Sequence, residues 1–464
     1  MAGHDERVVL FLFSDTGGGH RRAAEAVMEA LATGAHGSFR LLMHDPLLGP
    51  DAAWPQRLIA RLYGPAVRRA PWLWGAGWYV SNSRPAMAVL SRTVFGSVAR
   101  TVAAQVRACA PDVIVSCHPL TGRAAVRAAR GRPVVTLVTD LARVHASWRE
   151  PGADLVLVPS AAAAEQVGAG RCLPVGLPVE ARLRPRPRGA GWPEPAGPAA
   201  GGFVVLLAGG AEGCGGMARR AAAVLRAFAD VQVVAACGRN ERLRRRLSAR
   251  ALRAGGRLTV LGYVGNFADW LGRADVVVTK AGPAIIAEAA CCGTPLLLTS
   301  HLPGQERGNA DLVVRARAGR SARGVRGMLA ELAAIRADDD VLAGLRAGAA
   351  ALAKPDAAAR AAAQIARLAR TSPADRLAGA STGRKPASAV TAEPTGAMTA
   401  AAIADLARPS RADLSAAAGA DGTRAGSEAT EPAGPIPSAA GPAGVAVTVT
   451  FEPRSGRAVA SPAR

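Results

Sequence analysis

The alternation of short apolar runs with helix-like segments constrains the fold of this chain more than any other feature. Strand-like runs such as RVVLFLF, DVIVSC and PVVTLVTD occupy the first half, and FVVLLAGG, VQVVAACG and ADVVVTKAG follow in the second. Runs of this kind, separated by helix-length segments, are typical of parallel sheets covered by helices on both faces. The sequence therefore predicts an α/β protein with two doubly wound, Rossmann-like domains, over residues 1–183 and 203–370.

Two segments lie outside this alternation. Residues 184–202 have the proline and glycine density of a linker. Residues 371–464 are rich in Ala, Gly, Pro, Ser and Thr and hold one aromatic residue, so we expect a disordered tail that cannot bury a core. The tail has nine basic and eight acidic residues, which leaves almost all of the net charge of +22 in the two domains. Such a basic surface attracts anionic lipids, nucleic acids or phosphorylated substrates.

Several classes of protein lose support. No window approaches 18 uninterrupted apolar residues, and VVLFLF is too short for a signal-peptide core, so no membrane span or leader is predicted. The seven cysteines form no CxxC pair, which favours reduced thiols and a cytoplasmic location. Neither a P-loop nor a GxGxxG fingerprint with its acidic partner is present, which argues against an ATPase or a dehydrogenase.

Three glycine-bearing turns each follow a predicted strand: DTGGGH, AGGAEGCGG and TKAGP. Glycines between a strand and a helix let backbone N–H groups and the helix N-terminus face an anion, usually a phosphate. A single such turn is as often only a tight packing solution, but three in one two-domain chain indicate a phosphate-bearing ligand. The turn residues concerned are Gly17, Gly18, Gly19, Gly209, Gly210, Glu212, Gly282, Pro283 and Ala284.

The third turn predicts a nucleotide site. Pro283 suits the first position of a helix, and Glu288 follows about one and a half turns later, where its carboxylate can accept hydrogen bonds from two adjacent hydroxyls. A diphosphate at the helix end and a ribose at Glu288 match this arrangement, while the alternative for Glu288 is an ordinary solvated charge. Polar side chains suited to a sugar, those of Gln305, Glu306 and Asn309, follow the next strand.

Nine motifs, in order, carry a resemblance to a known family: SDTGGGHRRAAEA, SCHPLTG, VTDLARVHASW, LVPS, VGLPV, GGAEGCGG, GYVGN, KAGPAIIAEAACCGTP and LPGQERGN. The chain resembles the monogalactosyldiacylglycerol synthase branch of glycosyltransferase family 28 from residue 14 to about residue 314. The resemblance implies a GT-B fold, a UDP-sugar donor held by the second domain, and an apolar acceptor met by the first domain across a cleft. It also implies inversion at the anomeric carbon with no metal ion or other cofactor. It adds Val264 to the donor site and His118, His145 and Trp148 to the acceptor side.

Two residues are candidates for the base that removes the acceptor's proton. His20 stands at the start of the first predicted helix, and imidazole is suited to accept a proton near neutral pH. Asp140 ends the VTD strand and is the alternative base. Either residue could instead cap a helix or order a turn. His118 and His145 are weaker candidates, since buried histidines are commonly satisfied structural groups.

The chain departs from the family's pattern at one position. Glu180 stands where much of the wider family has an arginine after the GLPV turn. We expect either the loss of a diphosphate contact or its replacement by Arg182, two residues further on.

The segment of residues 54–90 predicts a membrane contact. It contains four of the seven tryptophans, two of the three tyrosines and five arginines, with no acidic residue. This composition is typical of membrane-interface helices. The alternative is an ordinary helix pair packed on the sheet, since Gly64, Pro65 and Pro71 should break any long helix. The residues predicted at the membrane are Trp54, Arg57, Arg61, Arg68, Arg69, Trp72, Trp74 and Trp78.

These features predict an inverting, metal-independent glycosyltransferase that moves a hexose from a UDP-sugar to a lipid hydroxyl at the inner face of the cell membrane. Diacylglycerol is the acceptor that the resemblance implies, and another lipid alcohol stays open, as does the choice of sugar. A UDP-sugar 2-epimerase would share the fold and the donor but would need no apolar acceptor surface. No RNP-like, KH or zinc-finger pattern is present, so no nucleic-acid partner is expected.

Overall fold

The computed structural model describes residues 6–16, 18–93, 95–168, 171–185 and 202–371. The tail beyond Thr371, most of the predicted linker and Gly17 lie outside the described residues. Within these ranges the chain forms two six-stranded parallel sheets, one in residues 6–185, the first half, and one in residues 202–371, the second half. The prediction of an α/β protein with two doubly wound sheets is confirmed.

The first sheet has the strand order β2-β1-β3-β4-β5-β6, and every neighbouring pair is parallel. Its central strands are buried on both faces, as expected for continuous apolar runs in a sheet with helices on each side. The strands are β1 (Arg7–Leu12), β2 (Phe39–His44), β3 (Val113–Ser116), β4 (Val134–Leu137), β5 (Leu155–Val158) and β6 (Cys172–Pro174). The helices are α1 (Gly19–Thr33), α2 (Trp54–Arg69), α3 (Pro71–Ser81), α4 (Arg84–Arg92), α5 (Gly96–Cys109), α6 (Gly122–Ala128) and α7 (Ala161–Val167), with a 3-10 turn at Ala146–Trp148.

The second sheet has the order β12-β11-β10-β7-β8-β9, again parallel throughout. Its strands are β7 (Phe203–Ala208), β8 (Val231–Ala236), β9 (Leu258–Leu261), β10 (Val276–Lys280), β11 (Leu296–Ser300) and β12 (Gly319–Ser321). The helices in residues 202–371 are α8 (Met217–Ala227), α9 (Glu241–Ala251), α10 (Phe267–Arg273), α11 (Pro283–Cys291), α12 (Asn309–Arg315), α13 (Gly324–Ala337), α14 (Asp339–Leu352) and α15 (Ala357–Arg370).

Helix α2 runs through Gly64 and Pro65, so the prediction that these residues break the helix is wrong. The fixed φ of proline is compatible with a helix, and the cost is a missing backbone hydrogen bond. The break lies instead at Ala70, whose φ of −139° and ψ of 60° are not helical. Pro71 follows directly, and a residue before proline is disfavoured in the α region.

The last described helix, α15, belongs to the core of the first sheet. Its buried residues Ala361, Ala362, Ile365 and Ala369 recur at helical spacing and pack in one cluster with strand β1 and helix α1. Residues 357–370, which the sequence assigns to the second domain, therefore complete the packing of the first sheet.

Candidate functional site

A cavity of about 380 Å³, here called the cleft, lies between the two sheets. Its walls come from residues that follow the carboxyl ends of β1, β2, β4 and β6 in the first half and of β7 to β11 in the second. Ligands of open α/β sheets bind at this end of the strands, and the volume is in the range of small-molecule sites. The cleft is therefore the candidate ligand site.

The three glycine turns meet at the cleft. A methyl group on Gly18 would lie 3.4 Å from Cβ of Ala211, and one on Gly19 would lie 3.8 Å from Cβ of Ala284. Gly18 also has a φ of 81°, a conformation that other residues rarely adopt. Helix α1 begins at Gly19 and helix α11 at Pro283, so two helix N-termini face the same space, which favours an anion there.

The ring of His20 lines the cleft at the start of α1. Its Nδ1 is 2.9 Å from Oγ1 of Thr139, and its ring centroid is 4.6 Å from that of His118. Burial lowers the pKa of His20 from 6.5 to about 4, and a hydrogen bond with the backbone at Cys117 opposes this shift only in part. The imidazole is therefore neutral at physiological pH, which is the form that a base requires.

His118 lies behind His20 and not in the wall of the cleft. Its Nδ1 accepts a hydrogen bond from the backbone N–H of Leu120 at 3.3 Å, which places the proton on Nε2, 3.0 Å from Oγ1 of Thr16. Burial, and then the neighbouring His20, lower the pKa of His118. Thr16 itself lines the cleft. His118 thus contacts two residues of the cleft lining, His20 and Thr16, from outside the cleft.

Asp140 is buried and outside the cleft lining. Its Oδ2 accepts hydrogen bonds from Nε1 of Trp148 at 2.9 Å and from the backbone N–H of His145 at 3.1 Å. Burial raises the pKa of Asp140 to about 6. The His145 ring reaches the carbonyl oxygen of Trp78 through Nε2 at 3.3 Å, and burial lowers its pKa to about 4. These contacts hold the segment of residues 140–148 against α3. A role of Asp140 as the base stays a prediction.

Glu288 forms an ion pair across the cleft with a residue that the sequence did not single out. Nη1 of Arg22, on α1, donates to Oε1 of Glu288, on α11, at 2.6 Å. The Arg22 charge opposes the burial that raises the pKa of Glu288. Oε2 of Glu288 is buried and has no hydrogen-bond partner among the described residues. An unpaired buried carboxylate oxygen is costly, and a hydroxyl donor in the cleft would satisfy it.

The polar residues after β11 have different surroundings. Glu306 is 2% exposed, forms an ion pair with Lys280 and accepts a bond from the backbone N–H of Leu302. Gln305 lines the cleft and lies 3.5 Å from Asp140. Asn309 is buried away from the cleft lining. It accepts from the backbone N–H of Ala142 at 3.1 Å and donates to the carbonyl of Ala281 at 2.8 Å, so it joins the two halves.

Arg182 does not line the cleft. It donates to Glu180 and to the backbone carbonyl of Gly265, while Glu180 itself is a cleft residue. Gly209 is packed so closely against Met217 that an added Cβ would lie 2.5 Å from its sulfur, which gives this glycine a packing role. Glu212 also lies outside the cleft lining. The predicted residues that do line it are Gly19, His20, Gly210, Val264, Gly282, Pro283, Ala284, Glu288, Gln305 and Glu306.

The cleft residues that the sequence analysis missed include Arg22, Tyr63, Thr139 and Lys280. Lys280 directly precedes the AGP turn, so its position at a strand end was a usable signal. Thr139 likewise ends the VTD strand beside Asp140. Nothing local marks Arg22, because its partner is 266 residues away.

Helices α2 to α4 carry an outer apolar face. Nine of the twelve large hydrophobic side chains that are exposed in the described residues lie on these helices. Trp54 and Trp72 are 75% and 70% exposed, and Arg61 and Arg69 are exposed as well. The nine residues of the outer apolar face are Trp54, Leu58, Ile59, Leu62, Trp72, Leu73, Tyr79, Val80 and Val89.

Two predicted membrane residues point elsewhere. Trp78 is only 7% exposed, because it packs over Gly304 and beside His145, so its assignment to the membrane face is wrong. Trp74 is partly buried against Tyr63, with ring centroids 4.8 Å apart. Arg57 donates to the carbonyl of residue 50, and the side chain of Arg68 lies outside the described part of the chain.

The described residues contain no helix that is both long and apolar enough to cross a membrane. None of the seven cysteines, all of which lie in the described ranges, forms a disulfide bond. No group of three or more His, Cys, Asp or Glu side chains in the described ranges is arranged to hold a metal ion.

Comparisons with known proteins identify both halves. Residues 20–179 match the family model of monogalactosyldiacylglycerol (MGDG) synthase, and residues 204–323 match the glycosyltransferase family 28 C-terminal domain. The chain is 32% identical to the chloroplastic monogalactosyldiacylglycerol synthase of Spinacia oleracea over 66% of this chain and 62% of that protein. It is 30% identical to the probable monogalactosyldiacylglycerol synthase 2 of Oryza sativa subsp. indica, over 66% of this chain and 68% of the relative. The chain thus spans about three fifths of the length of the spinach relative.

Solved structures show the fold. The glycotransferase of kitacinnamycin matches 78% of this chain and 99% of its own, with a TM-score of 0.51 and 19% identity. A putative UDP-N-acetylglucosamine 2-epimerase from Listeria monocytogenes matches 77% and 94%, with a TM-score of 0.51 and 12% identity. Both likenesses support the predicted GT-B architecture, and neither distinguishes a transferase from an epimerase.

Proposed function

The chain belongs to the monogalactosyldiacylglycerol synthase family of glycosyltransferases, and we propose that it transfers a hexose from a UDP-sugar to the hydroxyl group of diacylglycerol at a membrane surface. Galactose is the first choice of sugar, because the relatives are named for a galactosyl product.

The observation that carries this proposal is the meeting of three glycine turns, two helix N-termini and a buried, half-satisfied carboxylate around one cleft. The α11 N-terminus at Gly282 and Pro283 suits the donor diphosphate, and Oε2 of Glu288 suits a ribose hydroxyl. Helix dipoles and backbone N–H groups stabilise the charge that develops on UDP as it leaves. The transfer therefore needs no metal ion.

The proposed chemistry is a single inverting displacement. The acceptor oxygen attacks the anomeric carbon, the bond from that carbon to the diphosphate oxygen breaks, and the hydroxyl proton passes to His20. In the tautomer whose Nδ1 donates to Thr139, Nε2 carries the free lone pair. The low pKa of His20 keeps that lone pair free at neutral pH, and the proton leaves again to solvent after each turnover.

The outer apolar face supports the membrane part of the proposal. Nine large exposed apolar side chains on three successive helices are disfavoured in water, and the same helices carry exposed arginines. Tyr63 on α2 lines the cleft and packs on Trp74 of α3, so the helices that carry the face also reach the site. An acceptor could pass from the bilayer to the cleft along these helices. This surface favours a lipid transferase over an epimerase.

The test is product formation from labelled UDP-galactose, UDP-glucose and UDP-N-acetylglucosamine with diacylglycerol in anionic liposomes, with and without EDTA. We expect one labelled glycolipid with the β-anomeric configuration by NMR, and no loss of rate in EDTA. A donor that is consumed or epimerised with no labelled lipid would contradict the proposal and favour the epimerase. Labelling of a different lipid alcohol would correct the acceptor alone.

A further inference from the structure

The charges that line the cleft are poorly matched to a nucleotide sugar. The described lining residues include two cationic side chains, Arg22 and Lys280, and four carboxylates. The diphosphate of a UDP-sugar is itself a dianion, so its binding beside these carboxylates requires a cation with donors to spare. The carboxylates are those of Glu25, Glu180, Glu288 and Glu306.

Lys280 forms an ion pair with a buried carboxylate, that of Glu306. Its ammonium group pairs with Glu306, which is 2% exposed and whose second oxygen accepts from the backbone N–H of Leu302. Drawing Lys280 away would leave a buried carboxylate without its countercharge, which is costly. Lys280 therefore offsets Glu306 before it offsets any ligand.

The guanidinium group of Arg22 has hydrogen-bond donors left for a ligand. A guanidinium group has five N–H donors, and in the described structure Arg22 uses one hydrogen bond, from Nη1 to Glu288. The Arg22 side chain is 28% exposed and lies over the ring of Phe267 at 5.9 Å. Because Glu288 holds one arm of the planar fork, the other donors have a fixed direction and lose little freedom on binding an anion.

The position of Arg22 places it between the two ends of the expected ligand. Glu288 lies in the second turn of α11. A methyl group on Gly19, three residues before Arg22, would lie 3.8 Å from Cβ of Ala284 in the first turn. The guanidinium therefore lies alongside the helix that runs from the diphosphate end to the ribose end. Arg182 is not an alternative, because it is bound to Glu180 and to the carbonyl of Gly265.

We infer that Arg22 of the first half binds the diphosphate of the nucleotide sugar, while Glu288 of the second half holds the guanidinium in place through Oε1 and receives a ribose hydroxyl on Oε2. This inference rests on the proposed function. It makes donor binding a property of both halves, since the cation comes from α1 and the remaining contacts come from the second half. No covalent bond changes in this step.

The test compares the affinities of UDP, UMP and uridine by isothermal titration calorimetry in EDTA, without acceptor. For Arg22→Ala we expect UDP to bind about 10- to 100-fold more weakly, the loss of a charge-assisted hydrogen bond. UMP should lose less and uridine almost nothing. Arg22→Lys should fall between, because it keeps the charge and loses the fork.

Arg21 provides the matched control. It is the neighbouring arginine on α1, pairs with Asp15 and Glu25, lies over the ring of Phe13 and does not line the cleft. Arg21→Ala should bind UDP like the wild type. If Arg22→Ala fails to fold because Glu288 loses its countercharge, the pair Arg22→Met with Glu288→Gln removes both buried charges. In that pair, a loss of UDP affinity larger than the loss of uridine affinity reports the diphosphate contact.

Each outcome decides between distinct conclusions. Unchanged UDP affinity in Arg22→Ala overturns the inference and leaves the proposed function standing. An equal loss for UDP and uridine assigns Arg22 to positioning Glu288 for the ribose, which also overturns a diphosphate contact. If the wild type binds no uridine nucleotide, the proposed function and the inference fail together.

Discussion

The two halves of the molecule each contain a six-stranded parallel sheet, but the chain takes a different path after the second strand of each sheet. In the second half the chain continues from β8 through one helix, α9, to β9, which extends the sheet at its edge. In the first half the chain leaves β2 and passes through four helices, α2 to α5, before β3 returns to pair with β1. The outer apolar face lies on three of these helices.

The walls of the cleft differ in the same way. The first half contributes the ring of His20, whose pKa is lowered by burial, while His118 and Asp140 are buried outside the lining of the cleft. The second half contributes backbone turns, a helix N-terminus and Glu288. Under the proposed function, this difference assigns acceptor chemistry to the first half and donor binding to the second half, with Arg22 as the proposed exception.

The largest expected effect tests this division directly. His20→Ala should reduce kcat by about 10²- to 10⁴-fold, the usual contribution of a general base, while the affinity for UDP stays unchanged. Glu288→Gln should do the reverse and raise the KM for the donor more than it lowers kcat. The measurement is steady-state kinetics with labelled donor, with calorimetry for UDP. If His20→Ala keeps the kcat of the wild type, His20 is not the base.

The pH dependence of the rate distinguishes the two candidate bases of the first half, His20 and Asp140. With His20 as the base, its pKa of about 4 leaves roughly nine tenths of kcat/KM at pH 5. With Asp140 as the base, its pKa of about 6 leaves roughly a tenth. The rate is measured in brief assays after transfer from pH 7.5, and full recovery on return to pH 7.5 excludes unfolding as the cause.

That control is needed because the same burial makes the fold sensitive to acid. His20, His118 and His145 have lowered pKa values in the folded state, whereas histidines of the unfolded chain titrate near 6.5. Below that pH the unfolded state binds more protons, so the free energy of unfolding falls as the pH drops from about 6.5 toward 4.

The contrast between the outer surfaces of the halves predicts a smaller effect. Trp54→Ser with Trp72→Ser should weaken binding to anionic liposomes by about tenfold or more, since each ring contributes roughly 1.5 kcal/mol or more of apolar burial. Leu252→Ser is the matched control, because Leu252 is 90% exposed just after α9 of the second half. Sedimentation with liposomes measures binding. Equal losses in both variants would mean that the outer apolar face has no special role.

The smallest expected effect concerns the contact that joins the halves. Asn309→Ala leaves the backbone N–H of Ala142 and the carbonyl of Ala281 without their partner, so unfolding should become easier by about 1–3 kcal/mol. Gln305→Ala, whose contact with Asp140 is 3.5 Å long, should cost less. Chemical denaturation compares the two. An unchanged stability of Asn309→Ala would show that the Asn309 contacts do not help to hold the halves together.

The sequence predicts what depends on local pattern. Apolar runs such as VVLFLF and VVVTK define buried strands, and glycines after those strands define the turns that meet at the cleft. The Arg22–Glu288 pair depends on how two halves face each other across 266 residues, which no local pattern contains. Trp78 illustrates the same limit, because its burial depends on Gly304 in another segment. The composition of residues 54–90 predicts a membrane contact, which stays a prediction, and it does not tell which face of α3 is covered.

Helix α15 has a consequence for how the chain withstands cleavage. The backbone passes from the first half to the second through residues 186–201 and returns to the first sheet at residue 357. A protease cut within residues 186–201 therefore leaves the two products held by the packing of α15 on α1 and β1. The two fragments should copurify as one complex and separate only in denaturant. The two halves would then behave as one structural unit and not as two independent domains joined by a linker.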